Sequence, residues 1–147
     1  MSTGFLHLHS YLPYIFLTLL VITFLISLVQ WQQSKPSSAL AFKLAKVTFI
    51  LGHLQLTSRI LLLFMGEKAN AIFSQEGAMK TIMGDAGLRL SFVEHPITML
   101  LAIALLTIGY VKAKKSEGVD RAKKIALFFG FAFVLMLARI PWDAWLN

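Results

Sequence analysis

The chain has 147 residues, room for one domain. Apolar residues make up 57%, charged residues 14%, and mean hydropathy is +0.72, against about 45–50% apolar and about 25% charged in soluble domains. The departure is in the membrane direction and disfavours disorder, coiled coil and a secreted disulfide scaffold. Cysteine is absent, so disulfides, iron–sulfur clusters, thiolate metal sites and covalently attached haem are excluded, and any chemistry falls to His, Asp, Glu, Lys and Arg.

Residues 12–29 carry no charge, and at about 1.5 Å per residue this run with its polar flanks crosses a hydrocarbon core of about 30 Å. A cleaved leader would need a basic n-region and a small-residue cleavage site. The first basic residue is Lys35, so a retained span over about 10–31 is expected. A second apolar run, about 42–65, is interrupted by Lys46, His53, Gln55 and Arg59. The third and fourth run over about 92–112 and 124–142. Each is too long, and too little alternating, for a barrel strand. The expectation is an all-α integral membrane four-helix bundle. Between the second and third runs, the stretch IFSQEGAMKTIM (72–83) suits a short amphipathic helix at the membrane surface, a loop, or an extension of span three.

Charge sets the expected orientation. The connections 32–43 and 112–124 with their flanks hold nine basic residues, among them Lys35, Lys43, Lys114, Lys115 and Lys124, and two acidic ones. The other side holds five of each sign, counting Arg59, Glu94, Arg139 and Asp143. The positive-inside rule then places loops 32–43 and 112–124 in the cytoplasm, with both termini outside. The net charge of +7 thus records topology, and nucleic acid is not an expected partner.

All four histidines lie in or beside the apolar runs: His7, His9, His53 and His95. Ionisable groups at membrane depth are functional candidates by default. Three readings compete. Two imidazoles hold the iron of a haem b in the bundle core; Glu94, His95 and His9 hold another metal; or His53 is a hydrogen-bonded core residue and the others are interfacial. His95 precedes Lys112 by 17 residues, about 25 Å of helix, whereas His53 follows Lys46 by seven, about 10 Å. His9 precedes Trp31 by 22 residues, about 33 Å. Upright helices therefore put His9 level with His95 and His53 deeper, while tilt and the Pro13 and Pro96 bends leave His53 open as a ligand.

Arg59 and Arg139 are candidate partners for anionic haem propionates, or for Glu67, Glu94 or Asp143. Glu94 is a candidate for orienting an imidazole, although neighbouring positions on a helix diverge by about 100°, which directs it to another partner such as Arg139. His7 and Trp142 are further candidates beside a haem or its propionates, while Trp142 and Trp145, like Tyr11 and Tyr14, also suit the interfacial belt. No phosphate-binding Gly loop, zinc-protease helix or nucleophile elbow occurs.

The strings FLHLHSYLPY (5–14), GHLQL (52–56), VEHPITMLLAIALLTIGYVKAKK (93–115) and RIPW (139–142) together resemble a family of small four-span bacterial membrane proteins labelled cytochrome b-like, over nearly the whole length. The resemblance implies haem b and electron transfer, with His9, His53 and His95 as the histidines of three of those strings. The Leu-His-x-His opening is also similar to four-span protoporphyrinogen oxidases and copper-resistance membrane proteins. Pro13 stands where the cytochrome b-like pattern has a basic residue. The function expected is electron transfer through haem b, linked to membrane quinol or to a respiratory complex. The alternative is a non-redox accessory or assembly subunit of a larger membrane complex or homo-oligomer, with the histidines structural or holding a metal ion.

Overall fold

The computed structural model describes residues 2–142; Asp143 and Trp145 lie outside the described residues. Seven α-helices follow in order: α1 (Ser2–Gln32), α2 (Ala39–Met65), α3 (Glu67–Phe73), α4 (Ala78–Gly84), α5 (Ala86–Arg89), α6 (His95–Lys114) and α7 (Gly118–Arg139). A π-helical turn, Leu90–Glu94, joins α5 to α6, so that the helix is continuous over Ala86–Lys114. No strand occurs among the described residues. The long helices pack in a ring, α1 against α2 and α7, and α6 against α7 and α2, with α1 and α6 across one diagonal.

Small residues make the ring tight. The buried positions include Ala41, Ala45 and Gly52 on α2, Ala102, Gly109 and Ala113 on α6, and Ala122, Ala126 and Ala132 on α7. Small side chains let helix backbones approach closely, the packing mode that dominates where lipid removes the hydrophobic drive between helices. Phe16, Leu20, Ile103, Leu106 and Phe129 fill the centre. Facing outward are Ile22 and Leu25, Ile50 and Leu54, Leu100 and Ile108, and Phe131 and Val134, all exposed. An apolar perimeter of this extent is not compatible with water and marks a surface for lipid or protein.

Three helical stretches are long and apolar enough to cross a membrane: His7–Gln32, Ala39–Met65 and Ala86–Lys114. The third begins about two turns before the expected residue 92. α7 differs because Asp120, Arg121, Lys123 and Lys124 occupy its start, and its uncharged run covers only 125–138. The link 72–83 resolves into parts of α3 and α4 rather than one amphipathic helix, since Gly77 adopts φ +75° between them and breaks the run.

The basic end is tied by its own side chains. Arg121 Nε donates to the carbonyls of Ala113 and Ser116, at 3.1 and 2.8 Å, and its guanidinium sits 4.7 Å from the Phe42 ring centroid. Lys124 Nζ donates to Ser116 Oγ at 2.6 Å and pairs with Asp120 at 2.7 Å. That Lys124 contact holds the exposed Asp120 carboxyl below the usual carboxylate range.

Candidate ligand cavity

Two prolines prepare the site. A proline has no N–H, so in a helix it leaves the carbonyl four residues earlier without its partner. Pro13 lies inside α1 and frees the carbonyl of His9, which accepts from Gln55 Nε2 at 3.0 Å. On α6, Pro96 follows the π turn, in which the His95 N–H bonds to the Leu90 carbonyl, five residues back. The next bond in that register would run from residue 96 to the carbonyl of Ser91, and Pro96 has nothing to donate. Arg59 Nη2 supplies the missing donor at 2.8 Å. Gln55 and Arg59 are one turn apart on α2, so a single helix face clamps both neighbouring helices at their interrupted positions.

Between these clamps lies a cavity of about 530 Å³, lined mostly by apolar side chains and by His9, Gln55, Arg59, Ser91 and His95. This is within the usual range for a small-molecule or cofactor site, about 300–1,000 Å³ with few polar groups. Tyr14, Ile60, Ile97 and Leu100 also line it and are at least 46% exposed, so the cavity communicates with the apolar perimeter.

His95 and His9 present opposite chemistry to it. His95 Nδ1 lies 2.7 Å from the carbonyl of Arg139, one of the last carbonyls of α7, which lack helical partners. A carbonyl only accepts, so Nδ1 of the neutral ring carries the proton and Nε2 is left as a lone pair, the tautomer that ligation through Nε2 requires. His9 Nδ1 lies 2.9 Å from Gln55 Nε2 and 3.4 Å from Ser58 Oγ, whose hydroxyl donates to the Gln55 carbonyl at 2.7 Å. The Gln55 side-chain oxygen is buried and accepts no hydrogen bond among the described residues.

Glu94 and Arg139 lie outside the cavity lining, and the Glu94 carboxylate pairs with Arg89 at 3.0 Å and Arg139 at 3.6 Å. No group of three or more His, Asp or Glu side chains suited to a metal ion occurs among the described residues, and the expected Glu94–His95–His9 cluster does not assemble.

The other candidates stand apart. His53 Nδ1 donates to the carbonyl of Phe49 at 2.8 Å, and Nε2 lies 3.3 Å from the Thr107 hydroxyl. Its ring packs at 4.3 Å against Phe49, which stacks on Tyr110. It is a half-buried histidine held through Nδ1, outside the cavity lining. His7 is exposed and stacks on Tyr11 at 6.2 Å. Trp142 Nε1 donates to the Leu137 carbonyl at 3.2 Å, with the side chain 43% exposed. Gln55, Ser58 and Ser91 were not among the residues expected at the site. Their signal in the sequence is indirect: a proline four residues after His9, another five after Ser91, and two long polar side chains one turn apart on an apolar helix.

The chain matches no protein-family model, and no curated protein or solved structure is similar to it. The arrangement defines an all-helical protein with three stretches long and apolar enough to cross a membrane and a largely apolar cavity lined by His95, His9 and Arg59.

Proposed function

We propose that this is a four-span membrane protein that binds haem b in the cavity and uses it for electron transfer. The observation that carries the reading is His95: its Nδ1–H is fixed on the Arg139 carbonyl and its Nε2 lone pair is left unprotonated on the wall of a largely apolar cavity. A backbone acceptor of this kind is the usual orienting partner of an iron-bound imidazole and raises its basicity. Bound there, haem would supply one-electron chemistry at iron; the protein would supply the ligand, a low-dielectric shell and a cation. Arg59 fits the cation role better than Arg139, because Arg139 is engaged by Glu94 whereas Arg59 has one arm on Ser91 and borders the cavity. A guanidinium carries five donors, enough to hold Ser91 and a propionate together. Quinol as electron donor rests on the class resemblance and on the opening of the cavity toward the perimeter.

In this reading α7 is the fourth span, its exposed Phe131 and Val134 facing lipid, and the Lys-rich ends of α6 and α7 are cytoplasmic. The cavity then lies in the outer half, with both ends of the chain outside. A reporter fused after Lys115 is expected to score as cytoplasmic, and a periplasmic score would overturn the orientation. Haem binding is tested by pyridine haemochrome assay of the detergent-purified protein. One b haem per chain is expected, and protein free of haem after expression with ample haem supply would refute the proposal.

A further inference from the structure

We infer that His9 is not a second iron ligand but a hydrogen-bond donor facing the cavity, so that haem bound to His95 keeps its other axial position open to a small neutral ligand. The inference rests on the haem reading and on four linked observations. Pro13 cannot donate to the carbonyl of His9. The Gln55 amide takes that carbonyl through Nε2 at 3.0 Å, which fixes which end of the amide is nitrogen, since two facing carbonyl oxygens would repel. The same Nε2 is 2.9 Å from His9 Nδ1, so Nδ1 is the acceptor of that contact and cannot carry a proton. The proton of the neutral ring therefore sits on Nε2. Ser58 Oγ, whose own hydrogen goes to the Gln55 carbonyl, can only accept from Nδ1, but it lies farther away, at 3.4 Å, and the shorter Gln55 contact decides the tautomer.

His9 and His95 come from helices on opposite corners of the ring and line one cavity, one with an N–H and the other with a lone pair. His53, the remaining histidine proposed as a ligand, lies outside that cavity, and of the two thioethers that line it, Met136 is buried in the core cluster and Met99 packs against that cluster. No second imidazole lone pair faces the cavity among the described residues. Gln55, which fixes the His9 ring, lines the same cavity, so the polar groups of α1 and α2 meet at this end of it. The ligand class is a small neutral molecule able to bind ferrous iron and accept a hydrogen bond.

Carbon monoxide is the probe. The dithionite-reduced, haem-loaded protein is expected to bind it stoichiometrically with a Soret shift, and the ferric protein to be high-spin by electron paramagnetic resonance. His9→Leu is expected to keep the haem and to move the C–O stretch to higher frequency, because loss of an N–H near the oxygen weakens back-donation from iron. Gln55→Leu leaves Ser58 as the partner of Nδ1, frees Nε2 to ligate, and is expected to raise the low-spin fraction and slow carbon monoxide binding. A low-spin wild-type haem inert to carbon monoxide, or a His9→Leu protein as empty of haem as His95→Ala, would overturn the inference while leaving haem binding intact. A colourless wild-type protein would overturn the haem reading and the inference with it.

Discussion

His95→Ala is expected to leave an assembled protein with at least about tenfold less haem than wild type. Replacing only the outer partners of a metal ligand costs about 10–100-fold in affinity, and this substitution removes the ligand itself. The fold should tolerate the change. His95 contributes one hydrogen bond to the end of α7, a loss of about 1 kcal/mol, and the helix seams are built from the small residues of α2, α6 and α7 away from it. His53→Ala provides the contrast: it removes the bonds to Phe49 and Thr107 and a ring packed on Phe49, lowers stability, and is expected to leave haem content near the wild-type level. Haem-to-protein ratio after size exclusion checks both. Equal loss in the two variants would contradict the assignment of His95 as the ligand.

The second large effect concerns the seam between α6 and α7. A Cβ placed on Gly109 would overlap the Cβ of Phe128, with the Phe128 ring carbon Cγ at 3.1 Å. A Cβ is fixed to its backbone, so no rotamer change relieves the clash and the two helices must part. Overpacking of a core typically costs about 1–3 kcal/mol, occasionally more, and here the displaced neighbour is rigid. Gly109→Leu is accordingly expected to lower the thermal midpoint of the detergent-solubilised protein and to shift it toward aggregates on size exclusion. Gly130 is a milder case, because the atoms its Cβ would meet, at 2.7 and 3.1 Å, belong to the ring of Phe24, which can rotate. Gly130→Ala should therefore cost less than Gly109→Ala, and the reverse order would contradict the packing described.

The long helices were legible because long apolar runs leave little choice of structure, even where Lys46 and Arg59 interrupt the second and the uncharged part of α7 covers only 125–138. Their starts were less legible: α1, α2 and α7 begin several residues before the apolar runs do, since polar residues such as Ser38, which accepts from the Ala41 N–H, extend a helix beyond its lipid-facing part. Axial rise puts His9 level with His95 and His53 deeper, because height along a helix is a local quantity, and the cavity is lined by His9 and His95 but not by His53. What the histidines do at that height was not legible. The tautomer of His95 depends on a carbonyl 44 residues away, and that of His9 on an amide 46 residues away. Gln55 reads as an ordinary polar interruption of α2 until Pro13 is seen to leave the His9 carbonyl open beside it. The same holds for Arg59, whose partner on Ser91 exists only because the helix takes a π register before Pro96.

The most direct test of a redox haem held by His95 is the dithionite-reduced minus oxidised absorbance spectrum of the purified protein in detergent. The account predicts a reversible b-type difference spectrum that is present in wild type and absent in His95→Ala. A flat difference spectrum from protein supplied with haem throughout expression would contradict it, and would favour an accessory membrane subunit whose histidines join helices rather than bind iron.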